Sequence, residues 1–228
     1  NPRYTVAQII EEPLNLNNMY PDVKERRRYI EQLMDMVGLS KRMYNSYPHE
    51  FDGGRRQRIG VARALAVNPK LIVCDEPVSE LDMSIQAQIL NLMMELQQRL
   101  GLTYMFISHD LSVVKHISTN VGVMYLGQLV EKATKEALFV QPLHPYTIAL
   151  MSAIPVPDPR AERKKIVLQG EIASPINPKP GCRFAPRCPL AGEICASQTP
   201  ELTEIQQDRF VACFRAQEIL NGQVAYLG

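Results

Sequence analysis

Two short apolar runs constrain the fold of this chain most. Leu71-Ile72-Val73-Cys74 and Tyr104-Met105-Phe106-Ile107 are uninterrupted apolar stretches bounded by turn signals, the pattern of a strand buried in a parallel sheet. Between them, residues 83–99 (MSIQAQILNLMMELQQR) predict one long amphipathic helix. A short helix is predicted at 111–117 (LSVVKHI), and a third strand from Val121 to Leu126. Strand, helix, strand, helix, strand predicts βαβ crossovers and one parallel sheet, hence an α/β fold. Upstream, Ile30, Leu33, Met34 and Val37 recur at helical spacing behind a capping Asp22, with Gly38 as the stop. The turn Phe51-Asp52-Gly53-Gly54 leads into the helical run RRQRIGVARALAV, which ends before Asn68-Pro69.

Composition divides the chain. Eleven of the 17 prolines stand at or after Pro142, and four of the five cysteines fall in the last 47 residues. Proline fixes φ and removes a backbone donor, so this tail is predicted to be loop-rich. The expected division is an ordinary α/β part over 1–140 and a Pro/Cys-rich extension over 141–228. Lys plus Arg total 25 against 24 Asp plus Glu, which argues against a protein that holds nucleic acid through bulk charge. An odd cysteine count and the lack of a basic-then-apolar leader suit a reducing compartment rather than a secreted disulfide framework.

Reactive groups follow the strands. Asp75-Glu76 comes directly after LIVC, and Ser108-His109-Asp110 directly after YMFI. In open α/β sheets, ligands sit beyond the carboxyl ends of the strands. An adjacent Asp–Glu pair there suits metal-assisted phosphate chemistry, one carboxylate holding Mg²⁺ and the other orienting or deprotonating water. Solvated loop acids are the plainer alternative, as a structural role is for His109. Gly53-Gly54 at a helix start lets backbone N–H groups approach an anion, or is simply a turn with Asp52 as its cap.

The order of these blocks resembles the nucleotide-binding subunit of an ABC transporter. FDGGRRQRIGVARAL is similar to the signature helix, LIVCDEP to the Walker B strand, SELD to the D-loop and ISHD to the switch-histidine loop. NPRYTVAQIIEEPL, PLHPYTIALMSAIP and GEIASPINPKPGCRFAPRCPLA are similar to oligopeptide and dipeptide importers, a pattern that nickel importers largely share. The resemblance implies the C-terminal part of an ABC-type ATPase domain, with parallel sheet and helical signature region, followed by the Cys/Pro extension. It further implies MgATP hydrolysis at the cytoplasmic face of the membrane. Asp75 would hold Mg²⁺ through water, Glu76 would be the general base and His109 would contact the γ-phosphate. Asp52, Gly53 and Gly54 would face ATP held by a second ATPase subunit, and Asp82 would link the two sites. Two transmembrane permease subunits and, indirectly, an extracytoplasmic peptide-binding protein complete the implied partners, with no nucleic acid.

Three departures accompany the resemblance. No G-x-x-x-x-G-K-[ST] occurs in the 228 residues, the loop whose backbone and Lys wrap the phosphates. Asn1 aligns just after the family's glutamine loop, so the chain is expected to lack the N-terminal Walker A part and, alone, to hold MgATP weakly. Asp52 stands where the family has Ser; at ~4 Å and an effective dielectric near 20, its repulsion of a phosphate charge is on the order of 4 kcal/mol. Glu80 replaces the usual Ala of the D-loop. A non-catalytic module that binds a metal cluster and docks on a partner is the alternative that these departures leave open.

Cys182, Cys188, Cys195 and Cys213 match neither the common zinc spacings nor the ferredoxin run. Four thiols within 32 residues suggest one shared centre, with ordinary reduced cysteine as the alternative. The resemblance implies a [4Fe–4S] cluster ahead of zinc. Cys74 is expected in the core, and His144 in a structural role.

Overall fold

The computed structural model describes residues 1–154, 166–171, 174 and 176–224. Pro155, Ile172, Ala173 and Pro175, which belong to the tail blocks quoted above, lie outside them. The chain forms two compact units, Asn1–Asp110 and Leu111–Gly228.

In the first unit, α1 (Val6–Leu16), α2 (Val23–Met36) and α3 (Gly53–Leu65) pack around one core. Val6, Ile10 and Leu14 meet Ile30, Leu33 and Met34 there, together with Ile59, Ala62 and Leu65. Each helix starts where its side chains relieve unpaired N–H groups. Thr5 and Gln8 form a reciprocal capping box on α1. Asp22 accepts from the N–H groups of Lys24 and Glu25 at 2.9 Å. Past the end of α2, Gly38 adopts φ +70°, and a Cβ there would lie 2.9 Å from Arg58 Nη1. That guanidinium donates to the Val37 carbonyl at 2.6 Å, so the stop is required by both conformation and space.

The two apolar runs become β1 (Leu71–Asp75) and β2 (Thr103–Ile107), joined by α4 (Met83–Leu100). They pair in parallel, with Asp75 opposite Ile107. Both carboxyl ends therefore reach the same edge. The strands are not buried on both faces as predicted. Ile72 and Tyr104 pack on the helical core, whereas Leu71, Val73 and Met105 on the other face are 53%, 58% and 56% exposed. The sheet of this unit has two strands, and that second face is left open within the unit.

The second unit begins with α5 (Leu111–Ile117). The predicted third strand exists as β3 (Asn120–Tyr125), but it does not join the parallel sheet. It pairs antiparallel with β4 (Gln128–Thr134), across a two-residue loop in which Leu126 and Gly127 both take positive φ, 44° and 76°. Such loops match the twist of the flanking strands. The reason is visible in β3 itself: Val121, Val123 and Tyr125 are buried and the residues between them exposed, the alternation of a sheet covered on one face. After α6 (Lys135–Val140), α7 (Pro145–Ser152) and the short α8 (Glu193–Ser197), the tail supplies β5 (Thr203–Gln206) and β6 (Arg209–Val211). These complete an antiparallel sheet in the order β3-β4-β6-β5, and α9 (Ala216–Leu220) follows. Strands before and after residue 140 thus share one sheet.

Candidate functional site

Glu76 and His109 are brought together by the parallel register. Glu76 stands one residue beyond β1, at φ +44°, with its N–H donating to the Ile107 carbonyl at the end of β2. A positive φ on a glutamate is a strained placement, and here it coincides with a contact. The Glu76 Oε1 lies 3.0 Å from His109 Nδ1. Hydrogen bonding to this carboxylate raises the His109 imidazole above its ordinary value. Both side chains are well exposed. Asp75, Glu76 and Glu80 line an open cleft of about 600 Å³ with Gly53 and Arg56. Arg56 was not singled out in the sequence, because an arginine within RRQR reads as one charge among several.

The start of α3 is closed by its own side chains. Asp52 Oδ1 accepts the Arg55 N–H at 2.8 Å, and Oδ2 lies 3.5 Å from Arg55 Nε. Asp52 is therefore a helix cap in this structure. The glycines have a packing role as well: a Cβ on Gly54 would sit 2.5 Å from Ile85 Cγ2, and one on Gly53 2.8 Å from Leu81 Cδ2. Asp82 caps α4 by accepting from Ser84 and Ile85 at 3.1 Å. The FDGG turn and the SELD turn are thereby neighbours within one chain.

The four tail cysteines line a single cavity of about 20 Å³ together with His144 and Phe184. Cys182 and Cys195 are also joined through the backbone, N–H to carbonyl at 2.8 Å. Burial pushes the Cys188 thiol up to about 11 and Cys213 up to about 12, so these two thiols are protonated near neutral pH. Among the described residues, no group of three or more His, Cys, Asp or Glu side chains converges to hold a metal ion. The four cysteines share one cavity, but the described residues show no ligand geometry for the shared metal centre that the sequence suggested. Cys74 is buried in the core.

His144 is 1% exposed and caps α7, its Nδ1 accepting the Tyr146 N–H at 3.1 Å. Burial pushes the imidazole down to about 4. Sequence reasoning missed what anchors it. Glu131 on β4, 0% exposed, accepts from the Leu143 and His144 N–H groups at 2.8 Å each. Its neighbour Arg209 on β6 lies 4.0 Å away and donates to the Gln141 carbonyl.

Comparison with known proteins identifies the family. Residues 1–79 match the ABC transporter family model, and residues 130–195 match the oligopeptide/dipeptide transporter C-terminal region. The oligopeptide transport ATP-binding protein AppF of Bacillus subtilis is 56% identical over 215 residues, 93% of this chain and 65% of that protein. The dipeptide transport ATP-binding protein DppF of Haemophilus influenzae is 52% identical over 214 residues, 94% of this chain and 65% of that protein. A putative peptide import ATP-binding protein of Brucella ovis is 50% identical over 215 residues, 94% of this chain and 68% of that protein. Among solved structures, the dimeric ABC transporter cassette MJ0796 superposes with a TM-score of 0.52 at 28% identity, over 59% of this chain and 58% of that one. The chain thus spans about 65% of the length of the first two relatives. It belongs to the ABC transporter ATP-binding proteins, in the oligopeptide/dipeptide branch. No helix among the described residues is long and apolar enough to cross a membrane.

Proposed function

We propose that this chain is the ATP-hydrolysing part of an importer of oligopeptides or dipeptides, working at the cytoplasmic face of the membrane. The observation that carries the reading is the Glu76–His109 contact at the joined ends of β1 and β2, beside Asp75. Asp75 has an exposed carboxylate and would hold Mg²⁺ through water; that ion would supply charge neutralisation on the phosphates. Glu76 accepts the proton of the attacking water, and His109 holds Glu76 in position and donates to the γ-phosphate. Gly53 and Gly54 offer backbone N–H groups to nucleotide on a second ATPase subunit, with Asp82 at the seam. Two permease subunits and a peptide-binding protein are the remaining partners. ATP hydrolysis by the chain assembled with those subunits tests the reading. Assembly without hydrolysis would favour the non-catalytic module instead.

Two further expectations belong here. The 228-residue polypeptide by itself contains no phosphate-wrapping loop, and its affinity for MgATP is expected to be weaker than micromolar; calorimetry reporting micromolar binding would overturn this. Asp52 is more than half exposed, so solvent screens its repulsion of a phosphate toward about 1 kcal/mol at 4 Å. Arg55 offsets a further part. Asp52→Ser is accordingly expected to raise ATP hydrolysis of the assembled transporter severalfold, because serine keeps the cap and adds a donor. Unchanged turnover would mean that this turn does not face nucleotide.

We also assign an iron–sulfur cluster to Cys182, Cys188, Cys195 and Cys213. What supports this reading is the resemblance of the tail to peptide-importer ATPases and the single cavity that the four thiols line; among the described residues no three of them converge on one point. The space of about 20 Å³ between them is smaller than such a centre, so the four thiols as placed do not fit one. When bound, the cluster would supply cross-linking of a tail poor in regular structure.

A further inference from the structure

Glu76 is held through both of its peptide bonds. On one side its N–H donates to the Ile107 carbonyl at 3.0 Å. On the other side the chain turns sharply. Glu76-Pro77-Val78-Ser79 form a β-turn in which the Ser79 N–H donates to the Glu76 carbonyl at 3.3 Å. Pro77 stands at the second position of that turn, where its fixed φ is favoured. Val78, 3% exposed, anchors the turn in the core. The Ser79 hydroxyl then donates to the same Glu76 carbonyl at 3.1 Å. The turn is already defined without this second bond, by the backbone bond, the proline and the buried valine. What the hydroxyl adds is a further hold on the Glu76 carbonyl. The two peptide planes flanking Glu76 together set where its Cα–Cβ bond points, and so where its carboxylate stands. That carboxylate meets His109 Nδ1 at 3.0 Å. Glu76 holds φ +44°, a placement that a non-glycine residue keeps only where the surrounding bonds hold it.

We propose that Ser79 is a positioning residue for ATP hydrolysis: its hydroxyl fixes the Glu76 carbonyl and thereby keeps the Glu76 carboxylate against His109 and aimed at the attacking water. This rests on the reading of Glu76 as the group that takes the proton of that water. Ser79 is exposed and lines the same cleft as Asp75, Glu76 and Glu80, but its hydroxyl proton is directed at the backbone and not into the cleft. Its contribution is therefore to the geometry of the reacting groups and not to nucleotide binding. An interaction of that kind affects kcat and leaves KM in place. Within the SELD block, Asp82 caps α4 while Ser79, at the other end of the block, serves the end of β1.

The test is ATP hydrolysis by the assembled transporter carrying Ser79→Ala, Ser79→Thr, or Ser79→Ala together with Glu76→Gln. Ser79→Ala is expected to lower kcat about three- to tenfold, the order of one lost hydrogen bond, with KM for MgATP changed by less than about twofold. Threonine keeps the hydroxyl and should restore kcat to within about twofold of the parent. In the Glu76→Gln background the alanine should change turnover by less than about twofold, because a residue that acts through the Glu76 carboxylate then has nothing left to position. A parental kcat in Ser79→Ala would overturn the proposal while leaving the role of Glu76 standing. An equal loss in both backgrounds would overturn it too, since the hydroxyl would then act independently of that carboxylate. A rise in KM with kcat unchanged would make Ser79 a nucleotide-binding residue and overturn the positioning role. A parent transporter that assembles without hydrolysing ATP would overturn the reading of Glu76 and the proposal with it.

Discussion

Glu76→Gln is expected to lower ATP hydrolysis by the assembled transporter about 100- to 10,000-fold, the range of a lost general base, while nucleotide binding is kept. The substitution leaves the shape of the β1 end intact and removes only the capacity to take a proton. The local geometry supports a specific role. The backbone at Glu76 is held at φ +44°, its N–H is tied to Ile107 and its carboxylate meets His109 at 3.0 Å. The same variant has a second readout. Because the Glu76 carboxylate raises the His109 imidazole, the amide variant should let it fall back toward its ordinary value, which an NMR titration of the imidazole protons reports. Below the raised value the two groups form an imidazolium–carboxylate pair; above it His109 is neutral. Turnover of Glu76→Gln within threefold of the parent would remove Glu76 from the catalytic role and with it the proposed mechanism.

The part of this site that was legible in the sequence was carried by period and punctuation. Asp22 and Gly38 bracket α2 because capping and left-handed stops act within a few residues. β1, α4 and β2 were legible because an apolar run, an amphipathic period and a second run follow one another with turn residues between. Asp75, Glu76 and His109 then fell at strand ends by position alone. What was not legible depends on partners distant in the chain. Nothing within LIVC says that Leu71 and Val73 stay exposed; that depends on what lies over the sheet. β3 was recognised as a strand and assigned to the wrong sheet, since the order of elements suggested a crossover while the hairpin at Leu126-Gly127 lacks the usual Asn-Gly signal. β5 and β6 lie in a proline-rich tail whose composition argues for loops; β5 pairs with β6, and the pairing of β6 with β4 is a long-range event. Glu131 was invisible for the same reason. Within QLVEKAT it reads as a solvent-facing acid, and only the folded tail and the Leu143–His144 turn bury it.

That buried carboxylate gives the other large effect. Glu131→Ala is expected to destabilise the second unit by roughly 3–5 kcal/mol, the usual consequence of breaking a buried charged pair from one side. Two backbone N–H groups, of Leu143 and His144, lose their acceptor, and Arg209, 5% exposed, is left without its counter-charge. Burial raises the Glu131 carboxyl above its ordinary value against the opposing pull of those N–H groups and Arg209; burial likewise lowers the Arg209 guanidinium. Both shifts disfavour the charged forms, so desolvation outweighs the mutual attraction at 4.0 Å. The pH dependence follows. A carboxyl whose folded value is raised holds its proton more tightly in the folded state, so the Glu131 contribution to stability is greatest below the ordinary carboxylate range. It declines as pH climbs from there through the raised value. Glu131→Gln should flatten that decline, since an amide does not titrate, and should cost less than alanine because one oxygen still accepts. The double variant Glu131→Leu with Arg209→Met should recover part of the loss seen in Glu131→Ala, because removing both charges leaves neither one stranded. Urea unfolding at several pH values, followed by circular dichroism, separates these outcomes. An alanine variant within about 0.5 kcal/mol of the parent, the scatter of ordinary surface substitutions, would mean that the turn leading into α7 is held by something other than Glu131.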